Sequence, residues 1–339
     1  MPNDRLRRAR ERARLSQAEL ADQAGVSRQL IGSAEAGRHA PAVDTALRIA
    51  GVLGESVEAL FGAEALAWST VHGAPLREGE LVVVGRVGER LCASPLEDPN
   101  DGEAGWAAPD GVVEGGEIRL MPGANPNALV VVGCDPVLGL CERLLSRGGA
   151  RRVVAVSGST GSGLDALRAD RAHAAVVHGP AGGLPDSPEG VLRVHLARWR
   201  VGVGVGGVRP ARSLGEILER EIPLVQRDTS ASSQQALARA VGDVAPAPAA
   251  RASGHVDAAR RAAIGGCAAV TFEPAAYRHG LHFLPLETHS VELWIGRPWV
   301  DHPGANALID LLGSAVLRDR VGLIGGYDLD DCGSLATAA

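Results

Sequence analysis

The apolar residues in the N-terminal part of the chain are spaced as in several short amphipathic helices. In residues 16–24, 27–36 and 43–53 they recur every three or four positions. Residues 4–15, rich in Arg, and residues 56–61 complete the set as two further helices. Five short helices predict one compact all-α domain over residues 1–62.

Capping residues mark where the second and third of these helices begin. Ser16 is followed three positions later by Glu19, the spacing of a capping box. Gly25 fits a turn that needs a positive φ angle, and Ser27 can cap the next helix. This pattern predicts a helix-turn-helix.

The same segment resembles the lambda-repressor-like DNA-binding domain of the xenobiotic-response-element (XRE) family. The resemblance covers residues 4–61 and rests on R-x-x-R from Arg7, S-Q-x-x-L-A from Ser16, G-V-S-R-Q-x-I from Gly25 and E-x-G from Glu35. It implies that residues 27–36 form the recognition helix, whose first turns enter the major groove of DNA.

The resemblance also implies a set of DNA-contacting residues. Arg28, Gln29 and Ser33 share one exposed face, and the forked donors of Arg and Gln match the edges of guanine and adenine. By the same resemblance, phosphate contacts fix the register, and Arg10 and Glu35 form a buried structural ion pair. The candidate DNA-binding residues are Gln17, Ser27, Arg28, Gln29, Ser33, Arg38 and His39.

Beyond the helical domain the pattern changes twice. Strand-like runs at 81–85 and 117–120 between turn-forming residues predict a β-rich linker segment over residues 63–127. From residue 128, short and almost entirely apolar runs at 128–132, 152–156 and 174–177 alternate with helices, which indicates a parallel sheet covered on both faces. In such sheets the functional loops lie at the carboxyl ends of the strands.

This order of elements resembles the periplasmic-binding-protein superfamily, and in particular the cytosolic, molybdate-binding-related form fused behind helix-turn-helix domains. The matching motifs are G-C-D-P-x-L-G-L from Gly133, A-H-x-A-x-x-H from Ala172, D-H-P-x-x-x-A-L from Asp301 and G-Y-D from Gly326. The resemblance implies a two-lobed type II α/β fold, a ligand-sensing domain over residues 128–333. Lobe I would hold residues 128–205 and 291–333, lobe II residues 206–290, with strands crossing between them at 201–208 and 291–295.

Two hydroxyl-rich loops that precede helices, residues 157–163 and residues 229–233, are the candidate ligand site. Free N–H groups at helix N-termini bind anions, and Ser and Thr add neutral donors, so the loops could hold a molybdate-like oxyanion. The alternative is that these hydroxyls only cap their helices. At residues 225–234 the chain keeps the family's Arg as Arg227 but lacks its glycines and second Arg. The candidate ligand residues are Asp135, Ser157, Ser159, Thr160, Ser162, His178, Arg227, Thr229, Ser230 and Ser232.

Composition narrows the function classes. The net charge is −6, and Lys is absent, so all 34 basic residues are Arg. A whole-chain basic signature for nucleic acid is therefore missing, although residues 1–38 hold eight Arg against five acidic residues. Residues 158–163 fit G-x-x-G-x-G, but without Lys neither a nicotinamide reductase pair nor a nucleotide P-loop follows.

Cysteine and histidine spacing predicts no metal site and no cofactor. The five Cys form no CxxC pair, Cys134 is expected to be a packed thiol, and His173 is expected to face solvent. No base accompanies a nucleophile, so no catalytic residues are predicted. Without a signal peptide or an apolar run long enough for a membrane span, the expected compartment is the cytoplasm.

The sequence thus predicts a one-component transcription regulator. Its partners would be a double-stranded DNA operator and a small-molecule or oxyanion effector, with no membrane, and it would act as a homodimer on half-sites about 34 Å apart. Two alternatives remain open. One is a DNA-binding regulator whose sensor has lost its ligand and serves dimerisation or partner binding, and the other is a cytosolic anion-binding protein or enzyme.

Overall fold

The chain divides into two units, Met1–Leu66 and Ala67–Ala339. The computed structural model describes residues 4–61, 67–96, 108–146, 149–180, 182–244 and 246–336, so the predicted boundary at 62/63 lies outside the described residues. Within these ranges no helix has both the length and the apolar character needed to cross a lipid bilayer.

The first unit is helical, as predicted. Its helices are α1 (Asp4–Arg12), α2 (Gln17–Ala24), α3 (Arg28–Glu35), α4 (Val43–Leu53) and α5 (Val57–Phe61). The capping box of Ser16 and Glu19 and the side-chain cap from Ser27 are confirmed, and Gly25 has a φ angle of +63°. The caps hold α2 and α3 so that Leu20 and Ile31 are fully buried in the core of this unit.

The described residues of the segment expected to be a linker, 67–96 and 108–127, are folded and packed. A five-stranded sheet in the order β1-β3-β2-β4-β5 consists of β1 (Trp68–Thr70), β2 (Leu81–Val87), β3 (Arg90–Pro95), β4 (Gly111–Glu114) and β5 (Glu117–Leu120). Val71 and Val87 share a core cluster with Val130 and Val154 of the following domain. Because this apolar contact is buried, residues 67–96 and 108–120 pack into the same unit as the rest of the C-terminal part.

An eight-stranded sheet organises the remainder, in the order β11-β10-β12-β9-β13-β8-β6-β7. Its strands are β6 (Leu129–Gly133), β7 (Val153–Ser157), β8 (Ala174–Pro180), β9 (Leu192–Val205), β10 (Leu224–Gln226), β11 (Pro248–Arg251), β12 (Ala268–Phe272) and β13 (His282–Ile295). The helices on its faces are α6 (Val137–Leu145), α7 (Thr160–Arg168), α8 (Leu214–Glu219), α9 (Ser232–Val241), α10 (His255–Gly265), α11 (Glu273–Arg278), α12 (Pro303–Leu312) and α13 (Ala315–Gly322). The two-lobed α/β class is confirmed.

The lobes are joined by two long antiparallel strands. β9 and β13 each span 14 residues, far more than the crossings predicted at 201–208 and 291–295. The first half of β13 was not predicted from the sequence, because it contains Pro285 and proline is unfavourable within a strand. At Pro285 the strand pairs with β9, while its pairing with β8 begins only at His289, so among the described strands this part of β13 has a partner on one edge alone, where proline is tolerated.

His173 is buried rather than facing solvent, which corrects the expectation from its position beside a strand. Its Nδ1 accepts a hydrogen bond from the Val130 N–H at 2.8 Å, and its Nε2 lies 2.9 Å from the Arg86 carbonyl oxygen. Nδ1 must therefore carry the lone pair and Nε2 the proton. A neutral imidazole links the two sheets here, and burial lowers the pKa of His173 to about 4.

Acidification is therefore expected to destabilise the C-terminal unit. Between the ordinary pKa of 6.5 and the folded value of about 4, the unfolded chain binds a proton at His173 that the folded chain does not. Stability is thus lost as the pH falls through this window, by about 3 kcal/mol for this group. All five Trp follow residue 67, so urea unfolding monitored by Trp fluorescence reports on this unit.

A His173→Asn variant supplies the comparison, because the Asn oxygen can still accept from Val130 but does not titrate. The pH dependence of its unfolding free energy should be shallower than that of the wild type over the same window. Parallel curves for the two proteins would show that His173 is not the group responsible.

Candidate nucleic-acid interface and effector site

The start of α3 presents a polar surface depression. It is lined by Gln17, Arg28, Gln29, Gly32, Ser33 and Arg38. Arg28 and Gln29 are exposed, as are Ser27, which caps the helix, and His39, which lies beyond the lining. The structure thus brings together five of the seven candidate DNA-binding residues.

A buried ion pair holds this surface in position. Arg10 Nε lies 2.6 Å from Glu35 Oε1, which confirms the pair expected from the resemblance. Gln17 donates from Nε2 to Glu35 Oε2 at 2.8 Å, and Arg10 donates from Nη1 to the Leu15 carbonyl oxygen at 2.8 Å. Glu35 therefore ties α1 and the start of α2 to the recognition helix.

The two hydroxyl-rich loops of the C-terminal unit approach each other. A Cβ placed on Gly161 would lie 3.8 Å from Ser159 Oγ and 3.9 Å from Ser230 Oγ. Ser232 donates to the His178 carbonyl oxygen at 3.0 Å, which joins α9 to β8 across the lobes. The predicted juxtaposition of the loops is thus present in the geometry.

Most of the loop hydroxyls are engaged within the protein. The Thr160 hydroxyl accepts from the His178 N–H at 3.2 Å, Ser159 caps α7, and Ser162 donates to the Ser159 carbonyl oxygen at 3.0 Å. Ser230 donates to Asp228 Oδ1 at 2.6 Å. The exposed Ser157 and Thr229 and the buried Ser233 keep hydroxyls without a described hydrogen bond, so the capping interpretation accounts for much, but not all, of both loops.

The carboxylate of Asp135 is buried and forms hydrogen bonds within the protein. Its carboxylate accepts from Trp199 Nε1 at 3.0 Å, from the Tyr327 hydroxyl at 2.8 Å and from the Val137 N–H at 2.9 Å. Burial raises its pKa, although these three donors act in the opposite direction. Asp135 therefore orients Trp199 and Tyr327 beside the candidate site.

Arg227 is the candidate residue with unused donors. It is 3% exposed, and its described polar side-chain contact is a 3.4 Å hydrogen bond from Nη2 to the Ser253 carbonyl oxygen. Nε and Nη1 are buried without a partner in the described part of the chain, as is the Ser233 hydroxyl at the start of α9. Burial lowers the pKa of Arg227, and the charges of Cys134, Asp257 and Asp228 oppose this shift only in part.

Sequence reasoning missed a cluster of rings around Trp199. The centroid of the Trp199 ring lies 4.7 Å from that of His178, 5.8 Å from those of His255 and His289, and 5.1 Å from that of Phe272. Burial, with His289 and Arg227 next in effect, holds the pKa of His178 well below its usual value. No spacing along the chain could reveal this group, because the sheet order brings its members together.

Comparison with protein families gives two matches. Residues 6–60 match the helix-turn-helix family. Residues 142–313 match the PBP superfamily domain, and this second match alone covers half of the chain. No curated protein matches the sequence.

Solved structures resemble one part of the chain or the other. The restriction-modification controller protein C.AhdI from Aeromonas hydrophila is 32% identical over 17% of this chain and 89% of its own, with a TM-score of 0.17. An ABC-type phosphate transport receptor from Vibrio cholerae is 14% identical over 59% of this chain and 99% of its own, with a TM-score of 0.43. The bromide-bound regulatory domain of HypT from Salmonella typhimurium is 14% identical over 58% of this chain and 94% of its own, with a TM-score of 0.42.

Proposed function

Because the chain belongs to the PBP superfamily and carries an XRE-type helix-turn-helix domain at its N-terminus, we propose that it is a transcription regulator that senses a small oxyanion. The helix-turn-helix binds DNA, and the PBP-like domain binds the effector. We further propose a homodimer that reads two half-sites about 34 Å apart. Anion binding would then alter how the two recognition helices are presented.

The observation that carries the effector proposal is the buried guanidinium of Arg227. A buried charge is normally paired, since leaving it alone costs several kcal/mol. Two of its guanidinium nitrogens, Nε and Nη1, and the Ser233 hydroxyl have no described partner. A tetrahedral oxyanion would supply both the opposite charge and several acceptor oxygens. Arg227 and Ser233 therefore replace the loop hydroxyls as the main proposed contacts.

The N-terminus of α9 supports an anion at the same place. Ala231, the residue before this ten-residue helix, provides no side-chain cap, and Ser232 and Ser233 are the first residues of the helix. The first N–H groups of a helix are free to donate and carry partial positive charge. An oxyanion bound there would accept hydrogen bonds from the first backbone N–H groups of α9, which neither Ser230 nor Asp228 caps with its side chain.

Oxyanions are expected to stabilise the full-length protein in the presence of a chelator. Thermal unfolding with molybdate, tungstate, sulfate and phosphate should show one that raises the Tm, since saturation at 100 times Kd adds about 2.7 kcal/mol. An Arg227→Met variant should lose at least about 100-fold in affinity for that anion, because two charge-assisted hydrogen bonds disappear. Without anion it should be no less stable than the wild type.

An Arg251→Met variant is the matched control, because it removes the same side chain from an exposed position on β11. It should bind the anion as the wild type does. Absence of any stabilising anion, or unchanged binding by Arg227→Met, would contradict the proposal and favour a sensor domain that serves dimerisation or partner binding.

A further inference from the structure

Three potential metal ligands from separate elements converge beside Trp199. Cys134 directly follows β6, His178 lies in β8, and His255 is the first residue of α10. One ligand atom of each lies within 4.8 Å of those of the other two. Cys134 and His178 belong to one half of the sheet and His255 to the other, so an ion held by all three would bridge the lobes.

His255 is buried without a protein partner. It is 1% exposed, and neither Nδ1 nor Nε2 forms a hydrogen bond within the described residues. Leaving a buried polar group unpaired is unfavourable, and a neutral imidazole has one donor and one acceptor to satisfy. Coordination of an ion by one ring nitrogen would use the acceptor.

A chain of hydrogen bonds prepares His178 as a ligand. Arg239 binds both oxygens of Glu287 at 2.8 Å, and Glu287 Oε2 lies 3.2 Å from His289 Nε2. An ionised carboxylate only accepts, so His289 carries its proton on Nε2 and its lone pair on Nδ1. His289 Nδ1 lies 2.9 Å from His178 Nδ1, which must then be the donor. His178 Nε2 is left with a free lone pair.

From this geometry we infer that Cys134, His178 and His255 form a site for a zinc-class divalent transition metal ion. One thiolate and two imidazoles are donors that Zn²⁺ prefers. A hydrogen-bonded outer partner orients a ligating histidine, and here His289, itself held by the Glu287 carboxylate, has that place behind His178. Ideal bond lengths of about 2.0–2.3 Å put tetrahedral donors about 3.5 Å apart, so the ligands need to move inward by roughly 1 Å at most. Binding transfers the Cys134 thiol proton to solvent as the metal–sulfur bond forms.

Three protein ligands leave a fourth position for an exogenous group. A divalent ion with one thiolate keeps one positive charge, and Arg227 acts on both Cys134 and His178 through its own charge. An anion or hydroxide in the fourth position would balance this charge. The metal site does not depend on the effector proposed above, because its three ligands are all protein side chains.

Cobalt substitution tests the site directly. Addition of CoCl₂ to chelator-treated, full-length protein should produce a near-ultraviolet thiolate-to-cobalt charge-transfer band and the intense visible bands of tetrahedral Co²⁺, at one ion per chain. Competing Zn²⁺ should abolish both. Cys134→Ser should lack the charge-transfer band, and His289→Ala should weaken metal affinity by about 10–100-fold through loss of the outer hydrogen bond.

A Cys267→Ser variant is the control, because Cys267 is a free, partly exposed thiol outside the cluster. It should give the wild-type spectrum. The inference is overturned if Co²⁺ yields no charge-transfer band with the folded wild type, or if the band survives in Cys134→Ser. Anion binding is measured with chelator present, so failure of either proposal is seen separately.

Discussion

Replacement of both Arg28 and Gln29 by Ala is expected to abolish sequence-specific DNA binding while the N-terminal unit stays folded. Both side chains are exposed at the start of α3 and line the depression there. Each bidentate base contact contributes about 1–3 kcal/mol of discrimination, so loss of the pair should cost roughly 30- to 25,000-fold in specific affinity. Footprinting and fluorescence anisotropy on DNA from the protein's own promoter region measure this loss.

An Arg8→Ala/Gln23→Ala variant removes the same two residue types from exposed positions outside the depression. It changes the net charge equally, so it should show the same small loss of non-specific binding at low salt but keep the specific footprint. An unchanged footprint from the Arg28→Ala/Gln29→Ala protein would remove α3 from the role of recognition helix.

Glu35→Ala is expected to destabilise the N-terminal unit by about 3–5 kcal/mol, because it leaves a buried arginine without its carboxylate. The Arg10 side chain is 12% exposed and that of Glu35 6% exposed. Gln17 loses its acceptor in the same change. Hydrogen exchange of the amides in α1 to α4, measured by mass spectrometry in the full-length protein, reads out this unit, which has no Trp.

Glu55→Ala is the matched comparison, since it breaks another Arg–Glu pair in the same unit. Arg12 Nη2 lies 2.8 Å from Glu55 Oε1, but the Arg12 side chain is 67% exposed. Its loss should cost no more than about 1 kcal/mol. Equal acceleration of exchange in the two variants would mean that burial of the Arg10–Glu35 pair adds nothing to stability.

The helices of the N-terminal unit could be predicted from the sequence because their ends are determined by local interactions. Ser16, Glu19, Gly25 and Ser27 each act on backbone groups within a few residues of themselves, so their spacing alone defines the helix ends. The parallel strands β6, β7 and β8 of the C-terminal unit were equally visible as mainly apolar runs. Each of these features depends on neighbours in the chain.

The candidate effector and metal sites depend instead on neighbours in space. Whether Arg227 has a partner is decided by which side chains the sheet order places around it. Asp135 looked like a ligand residue because it follows a strand, yet three internal donors occupy its carboxylate. Similarly, Cys134, His178 and His255 are far apart in sequence, and only the neighbouring strands and α10 unite them.

The paired strands β9 and β13 also determine what kind of motion the ligand domain can make. The connection between the lobes is a hydrogen-bonded ribbon with irregular register near Pro285 and near Val291, rather than two flexible loops. Such a ribbon resists bending across its ladder but can change its coil at the irregular positions. We therefore expect effector binding to rotate one lobe relative to the other about the long axis of the β9–β13 ribbon, rather than to close the lobes by a hinge motion.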